Sequence, residues 1–261
     1  MYSDNMTRPL TTTLVIYTKN EIDGMRVIMP QIQKKWCDEV IVIDGQSTDG
    51  TVEYCHQHGY TIYTQTEPSW AGAYKEGHKR ATGDIIIDFS PDGNSKPEAI
   101  PVLIQKLKEG YDLVLASRYL GGAKSEDDTW ITHLGNQMFT FAINFLFGQK
   151  FTDTLVIFRA YRRQLVEQTL LDTEIVHAFT PQLCIRAAKL NKKWAEIPAD
   201  EPKRIGGVPK MKVLYCGWLA VEIILREWLD MGFKKRVEQR KALLTHGPQS
   251  ILQKHADAPI S

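Results

Sequence analysis

Five short apolar runs, each ending in polar residues and separated by stretches of helical pattern, constrain this chain more than any other feature. The runs are TLVIYT (13–18), EVIVID (39–44), YTIYTQ (60–65), DIIIDF (84–89) and DLVLAS (112–117). Uninterrupted β-rich runs suit strands covered on both faces. Helical patterns over 22–35, 52–58, 71–81 and 98–109 lie between or beside them. Strand and helix in alternation predict an α/β fold with a mostly parallel central sheet and flanking helices. Polar residues gather after the strands, at 17–21, 44–51, 90–98 and 117–124. In an open parallel sheet the carboxyl ends of the strands line the ligand crevice. The site is therefore expected to assemble from four separate loops.

The second half reads differently. Residues 130–147 contain MFTFAINFLF, too short to span a bilayer. Helices are expected over 159–171, 180–190 and 218–229, the first placing Arg162 and Arg163 on a solvated surface. After Met231 the chain turns polar. This divides the chain into a catalytic domain over 1–212 and a C-terminal helical segment with a tail over 213–261. Lys plus Arg number 32 against 31 for Asp plus Glu, so no global basic field points to nucleic acid. Cys37, Cys55, Cys184 and Cys216 form no CxxC pair, which suits a reduced compartment better than disulfides or zinc. With no apolar signal core and no long apolar run, a cytoplasmic location is expected. The chain also lacks HExxH, GxSxG, GxxxxGK[ST] and GxGxxG.

Three regions can carry chemistry. In DGQSTDGT (44–51), Asp44 stands at a strand end, where a carboxylate can bond a base or ribose; the same residues equally make a capped turn. In FSPDGNSKPE (89–98), Pro91 and Gly93 force a turn presenting Asp92 and Asn94. Such oxygen ligands suit Mg²⁺ or Mn²⁺, and they also suit a plain surface turn. Basic residues follow at Arg118, Arg159, Arg162, Arg163, Lys203, Arg204, Lys210 and Lys212. Guanidinium groups match phosphate oxygens, and charged residues also form solvated faces.

Taken together, YTKNE, VIDGQSTDGT, ATGDIIIDFSPDGNSKPE, DLVLASRY, FRAYRR and EIPADEPKRIGG resemble the family 2 glycosyltransferases of GT-A (Rossmann-like) fold. Within them the chain is similar to the dolichyl-phosphate mannose synthase and polyprenyl-phosphate glycosyltransferase branch, from about Thr12 to Lys212. The resemblance implies nucleotide binding by Tyr17, Thr18, Glu21, Asp44, Gln46, Ser90 and Asn94. Tyr17 and Lys19 depart from the family's PTYNE. The family's Asp-x-Asp metal motif reads Ser90-Pro91-Asp92 here, leaving Asp92, with Asn94, as the metal ligands implied. A family lysine is replaced by Trp70 in SWAGA. Arg118 matches the family's Ser-Arg-Tyr arginine, and His133 the second phosphate-binding cation. Arg159, Arg204 and Lys210 complete the phosphate-binding set.

The implied activity is inverting transfer of a sugar from a nucleotide-diphosphate sugar to a polyprenyl phosphate. Asp92 and Arg118 are its catalytic residues. Arg204 or Lys210 would neutralise the donor diphosphate, and an anionic acceptor needs no strong base. The implied partners are the donor, a lipid phosphate and a membrane surface touched by the helix from Met138 to Phe147, with a membrane protein or a second copy as companion. Burial of that helix in the core is the competing reading. Other readings are a transferase to a saccharide hydroxyl, with Asp153 or Glu174 as base, a nucleotidyltransferase, and a non-catalytic nucleotide-sugar binder.

Overall fold

The computed structural model describes residues 8–169, 179–206 and 213–238. Seven strands form one sheet in the order β3-β2-β1-β4-β6-β5-β7. They are β1 (Thr12–Thr18), β2 (Glu39–Asp44), β3 (Thr61–Thr64), β4 (Ile85–Phe89), β5 (Leu113–Ser117), β6 (Arg159–Arg162) and β7 (Trp194–Pro198). β6 runs antiparallel to β4 and β5, and every other pairing is parallel. Every residue of β1, β4 and β5 is buried. That accounts for their unbroken apolar runs: a strand covered by helices on both faces has no side that favours polar residues.

The helices are α1 (Ile22–Ile28), α2 (Thr51–Gln57), α3 (Trp70–Arg80), α4 (Ile100–Lys108), α5 (Trp130–Phe147), α6 (Arg163–Thr169), α7 (Phe179–Lys189) and α8 (Val213–Leu229). Ser69 caps α3 by accepting from the Gly72 amide at 2.9 Å, satisfying one of the unpaired amides of the first turn. Thr129 caps α5 in the same way, through the Thr132 amide. α8, placed by the sequence in the C-terminal segment, packs on α7 and α5. Ile223 and Ile224 enter the core, and the Glu227 carboxylate takes Arg186 at 2.6 Å.

Two expectations change. The helix expected over 22–35 stops at Ile28, where a short 3₁₀ turn over Met29–Gln31, with Pro30 inside it, follows. The helix expected over 159–171 is β6 followed by α6. β6 reads Arg-Ala-Tyr-Arg, so it carries no apolar run, yet Arg159, Ala160 and Tyr161 are all buried between β4 and β5. Arg162 and Arg163 therefore do not form a solvated face. Arg162 donates to the Leu107 carbonyl at 2.7 Å, closing the end of α4, and Arg163 to the Gly83 carbonyl at 2.9 Å. β7 gave no run the sequence reading picked out.

Candidate active site

The donor side is built from the loops after β1, β2 and β4, three strands adjacent in the sheet. The first two loops are stitched together. The Asn20 amide donates to Ser47 Oγ at 2.7 Å, and the Thr48 amide to Asn20 Oδ1 at 2.8 Å. The Ile22 amide donates to Asp49 at 3.0 Å. Asp44 is 1% exposed and accepts from the Thr18 and Ser47 hydroxyls at 3.1 and 2.5 Å and from the Ser47 amide at 2.8 Å. Such a carboxylate is fixed in direction before any ligand arrives. Gln46, in the left-handed region at φ 65°, points from the same loop into solvent.

Asp92 lies in the turn after β4. Gly93 holds φ at 88°, and a Cβ there would meet Ile205 at 2.5 Å, so the turn needs glycine twice over. Gly24 of α1 touches the same turn: a Cβ on it would lie 2.1 Å from the Pro91 carbonyl oxygen. The segment carrying Arg204 is laid across the turn, with the Ile205 amide donating to the Asp92 carbonyl at 2.7 Å. Arg204 bridges the two loops, donating from Nη2 to Asp92 Oδ2 at 2.7 Å and from Nη1 to Glu21 Oε1 at 3.2 Å. Asp92 Oδ1 accepts from the Asn94 amide at 3.2 Å.

Ser90, Asp92 and Asn94 offer three oxygen-bearing side chains in one turn, a donor set suited to a hard cation. The guanidinium on Asp92 already stands in for such a charge. Among the described residues no group of three or more His, Cys, Asp or Glu is arranged to hold a metal. Any cation here would take one carboxylate and draw most of its ligands from the substrate and water.

Tyr17 does not reach this surface. It is 2% exposed, and its hydroxyl donates to Asp88 at 2.9 Å beneath the sheet, so its expected nucleotide contact is not made by the side chain here. Asp88 is wholly buried and also accepts from Tyr161 at 3.2 Å. Burial raises its pKa to about 7, against the opposing pull of the Tyr17 hydroxyl, the Arg159 charge and the Tyr161 hydroxyl. Among the described residues, Asp88 Oδ2 and the Tyr74 hydroxyl have no hydrogen-bond partner.

The acceptor side begins at the end of β5. Arg118 forks onto Asp153, with Nε to Oδ2 at 2.7 Å and Nη2 to Oδ1 at 3.0 Å. Burial works against its charge, but Asp153 and Glu201 beside it hold its pKa well above the usual value. Its Nη1 makes only long contacts, 3.4 Å to Glu201 and 3.8 Å to Asp128, and is the donor left for an incoming anion. His133 stands edge-on to the Tyr119 ring, centroids 5.0 Å apart. Asn136 Nδ2 donates to the Tyr119 hydroxyl at 3.0 Å, and that hydroxyl donates to Asp128. Asn94, Arg118, Val156, Asp200 and Glu201 line one small cleft, which joins the donor turn to the acceptor residues. A wider cavity between α7 and α8 is lined by Gln182, Arg186, Glu227 and Arg236, none of which belongs to these loops.

Arg159 is not an acceptor contact. It is fully buried, donating to the Thr180 carbonyl at 2.8 Å and to the Val156 carbonyl, so it ties α7 to the chain entering β6. Lys210 and Glu174 lie outside the described residues. Tyr119 entered the sequence reading only as part of the Ser-Arg-Tyr match, without a role, and Asn136, Asp128 and Glu201 escaped it. Of these only Tyr119 and Asn136 carried a local signal, being next to Arg118 and one helical turn beyond His133.

A mostly parallel sheet with an inserted antiparallel strand, its polar loops gathered over the carboxyl ends, matches the GT-A fold, and the family it belongs to makes it a nucleotide-sugar-dependent glycosyltransferase. The chain belongs to glycosyl transferase family 2, whose model matches residues 13–170. It is 26% identical over 225 residues to an undecaprenyl-phosphate mannosyltransferase of Micrococcus luteus, covering 80% of this chain and 90% of that one. It is 26% identical over 221 residues to a polyprenol monophosphomannose synthase of Mycolicibacterium smegmatis, covering 78% and 82%. Among solved structures it resembles glucosyl-3-phosphoglycerate synthase of Mycobacterium tuberculosis with phosphoglyceric acid (TM-score 0.68, 20% identity, 85% and 82% coverage). The same enzyme with Mn²⁺, UDP-glucose and phosphoglyceric acid superposes at TM-score 0.65 with 21% identity, again covering 85% and 82%.

Proposed function

We infer that this chain transfers a hexosyl group from a nucleotide-diphosphate sugar to a polyprenyl phosphate, working at the cytoplasmic face of a membrane. The observation that carries this reading is the layout of α5. Its first turns hold His133 and Asn136 against Tyr119, beside Arg118. From there Trp130, Leu134, Met138, Phe141 and Phe145 run along one helical face, between 52% and 77% exposed. Only Thr140 and Ile143 of α5 are buried. The helix thus brings His133 and Asn136 beside Arg118 at one end and a bare apolar stripe along its length, matching a phosphate head and a lipid tail.

α8 packs beside α5, with Gly217 against the Phe139 ring, and exposes Leu214, Trp218, Leu225, Trp228 and Leu229. Exposed apolar area on this scale marks an interaction surface. Three tryptophans suit a membrane interface, and the exposed Lys234 and Lys235 just beyond suit anionic headgroups. No helix among the described residues is long and apolar enough to cross a membrane. The curated relatives' names point to the same acceptor class.

In this mechanism Asp44 and the stitched loops bind the nucleoside, and Arg204 neutralises the diphosphate. A divalent cation, held by Asp92 with Asn94, would supply further neutralisation of the leaving group. Arg118 and His133 orient the acceptor phosphate. Its oxygen attacks the anomeric carbon as the bond to the diphosphate breaks, inverting that centre. Asp153, the base a hydroxyl acceptor would need, is occupied by Arg118.

One observation favours a second reading. Burial raises the pKa of Glu201, the property a general base requires, and Glu201 lines the cleft beside Arg118. A two-arm assay separates the readings: labelled UDP-, GDP-, CDP- or dTDP-sugars offered to polyprenyl phosphate in vesicles, or to soluble saccharides. Label in the lipid phase supports the first reading, and label in the saccharide alone overturns it.

A further inference from the structure

We propose that Arg204 holds the cation's place on Asp92 in the resting site, and yields it only when a donor diphosphate offers another anion. The inference rests on the transferase reading above and concerns how that site admits a divalent ion.

Both oxygens of Asp92 are engaged, Oδ2 by Arg204 at 2.7 Å and Oδ1 by the Asn94 amide at 3.2 Å. The Asp92 side chain is only 5% exposed, and Arg204 reaches Glu21, 7% exposed, from its other terminal nitrogen. One guanidinium therefore serves two buried carboxylates. A divalent ion arriving on Asp92 would meet that guanidinium within about one ion-pair distance, where the like charges repel. Arg204 and the ion thus compete for one carboxylate.

The exchange needs a new anion for Arg204, and the donor brings one. A guanidinium fits phosphate oxygens as well as it fits a carboxylate. Arg204 Nε also has no hydrogen-bond partner among the described residues, so the group has a donor to spare. The backbone beside it is pinned to the Asp92 turn by the Ile205 amide, so the side chain alone can make the move. Ion and donor consequently enter together.

The test is Mn²⁺ binding by electron paramagnetic resonance on the full-length protein, with and without UDP or GDP. Arg204→Gln and Arg204→Lys are compared, with folding checked by circular dichroism. Wild type should bind Mn²⁺ weakly alone and about tenfold or more tightly with the nucleotide. Arg204→Gln should bind Mn²⁺ alone at least about tenfold more tightly than wild type, while losing affinity for the nucleotide. Arg204→Lys, which keeps the charge, should stay near wild type for Mn²⁺ alone. Equal binding of Mn²⁺ alone by wild type and Arg204→Gln overturns the proposal and leaves the transferase reading standing. Failure of wild type to bind either nucleotide, or CDP or dTDP in the same titration, with or without Mn²⁺, overturns both.

Discussion

The two halves of the crevice are built on opposite plans. The donor half rests on β1, β2 and β4, parallel strands whose loops bind one another: Asn20 to Ser47, Ile22 to Asp49, Arg204 to Asp92 and Glu21. The acceptor half rests on β5, β6 and β7, and its key arginine is held by carboxylates from three distant segments, at Asp128, Asp153 and Glu201. Beyond it the described residues leave an apolar stripe exposed. A nucleotide diphosphate, compact and polar, can be met by a rigid, self-bonded cradle. An acceptor with a long apolar tail needs an open flank.

The sharpest break of this contrast is Asp92→Ala. It should lower transfer by at least about a hundredfold while the protein stays folded, because the group acts on leaving-group charge. Near-normal turnover would remove Asp92 from the mechanism. On the acceptor side the same kind of change should cost stability as well. Arg118→Gln leaves Asp153, wholly buried, without its counter-charge, and should cost about 3–5 kcal/mol in urea unfolding. A fully stable variant would show that the carboxylate cluster is not held by Arg118.

A smaller effect tests the open flank. Phe141→Ser with Phe145→Ser should weaken binding to anionic vesicles by about tenfold or more, since burying each ring is worth roughly 1.5–3 kcal/mol. Nucleotide binding should not change, because both rings lie away from the donor loops. Unchanged flotation with vesicles would move the membrane contact elsewhere.

The smallest effect lies under the donor half. Asp88 has its pKa raised from 3.8 to about 7, so the folded state holds this proton more tightly than the unfolded chain. Its contribution to stability is complete below about pH 4 and is lost as the pH rises through about 7. Asp88→Asn should remove that dependence. The melting temperature of wild type relative to the variant should fall by a few degrees from about pH 5 to about pH 8. Parallel pH profiles would contradict the buried, protonated carboxyl.

The same contrast decides what the sequence could reveal. β1, β2 and β4 and their loops are local: an apolar run, a turn glycine and a carboxylate lie within about ten residues, so Asp44 and Asp92 were legible. The residues around Arg118 come from positions 119 to 201: Asp153 lies in the stretch leading to β6, and Glu201 follows β7, which pairs with β5. β6 itself is buried through Arg159 and Tyr161, whose polar ends find carbonyl and carboxylate partners inside. No hydropathy pattern marks such a strand, and Arg159 enters the phosphate-binding set through the resemblance alone. Tyr17 misled for the converse reason. It sits where the resemblance puts a nucleotide residue, but its hydroxyl faces Asp88, a carboxyl that looked like an ordinary strand residue.

The claim that the open flank serves a lipid phosphate is tested most directly by the product itself. The enzyme should be incubated with vesicles carrying polyprenyl phosphate and the nucleotide-sugar that most raises its melting temperature. Phosphorus and proton NMR of the extracted lipid then show what bond was made. The account predicts a sugar joined through its anomeric carbon to the lipid phosphate, with the donor's configuration inverted. A sugar found only on a hydroxyl group, or joined to phosphate with retained configuration, would contradict it.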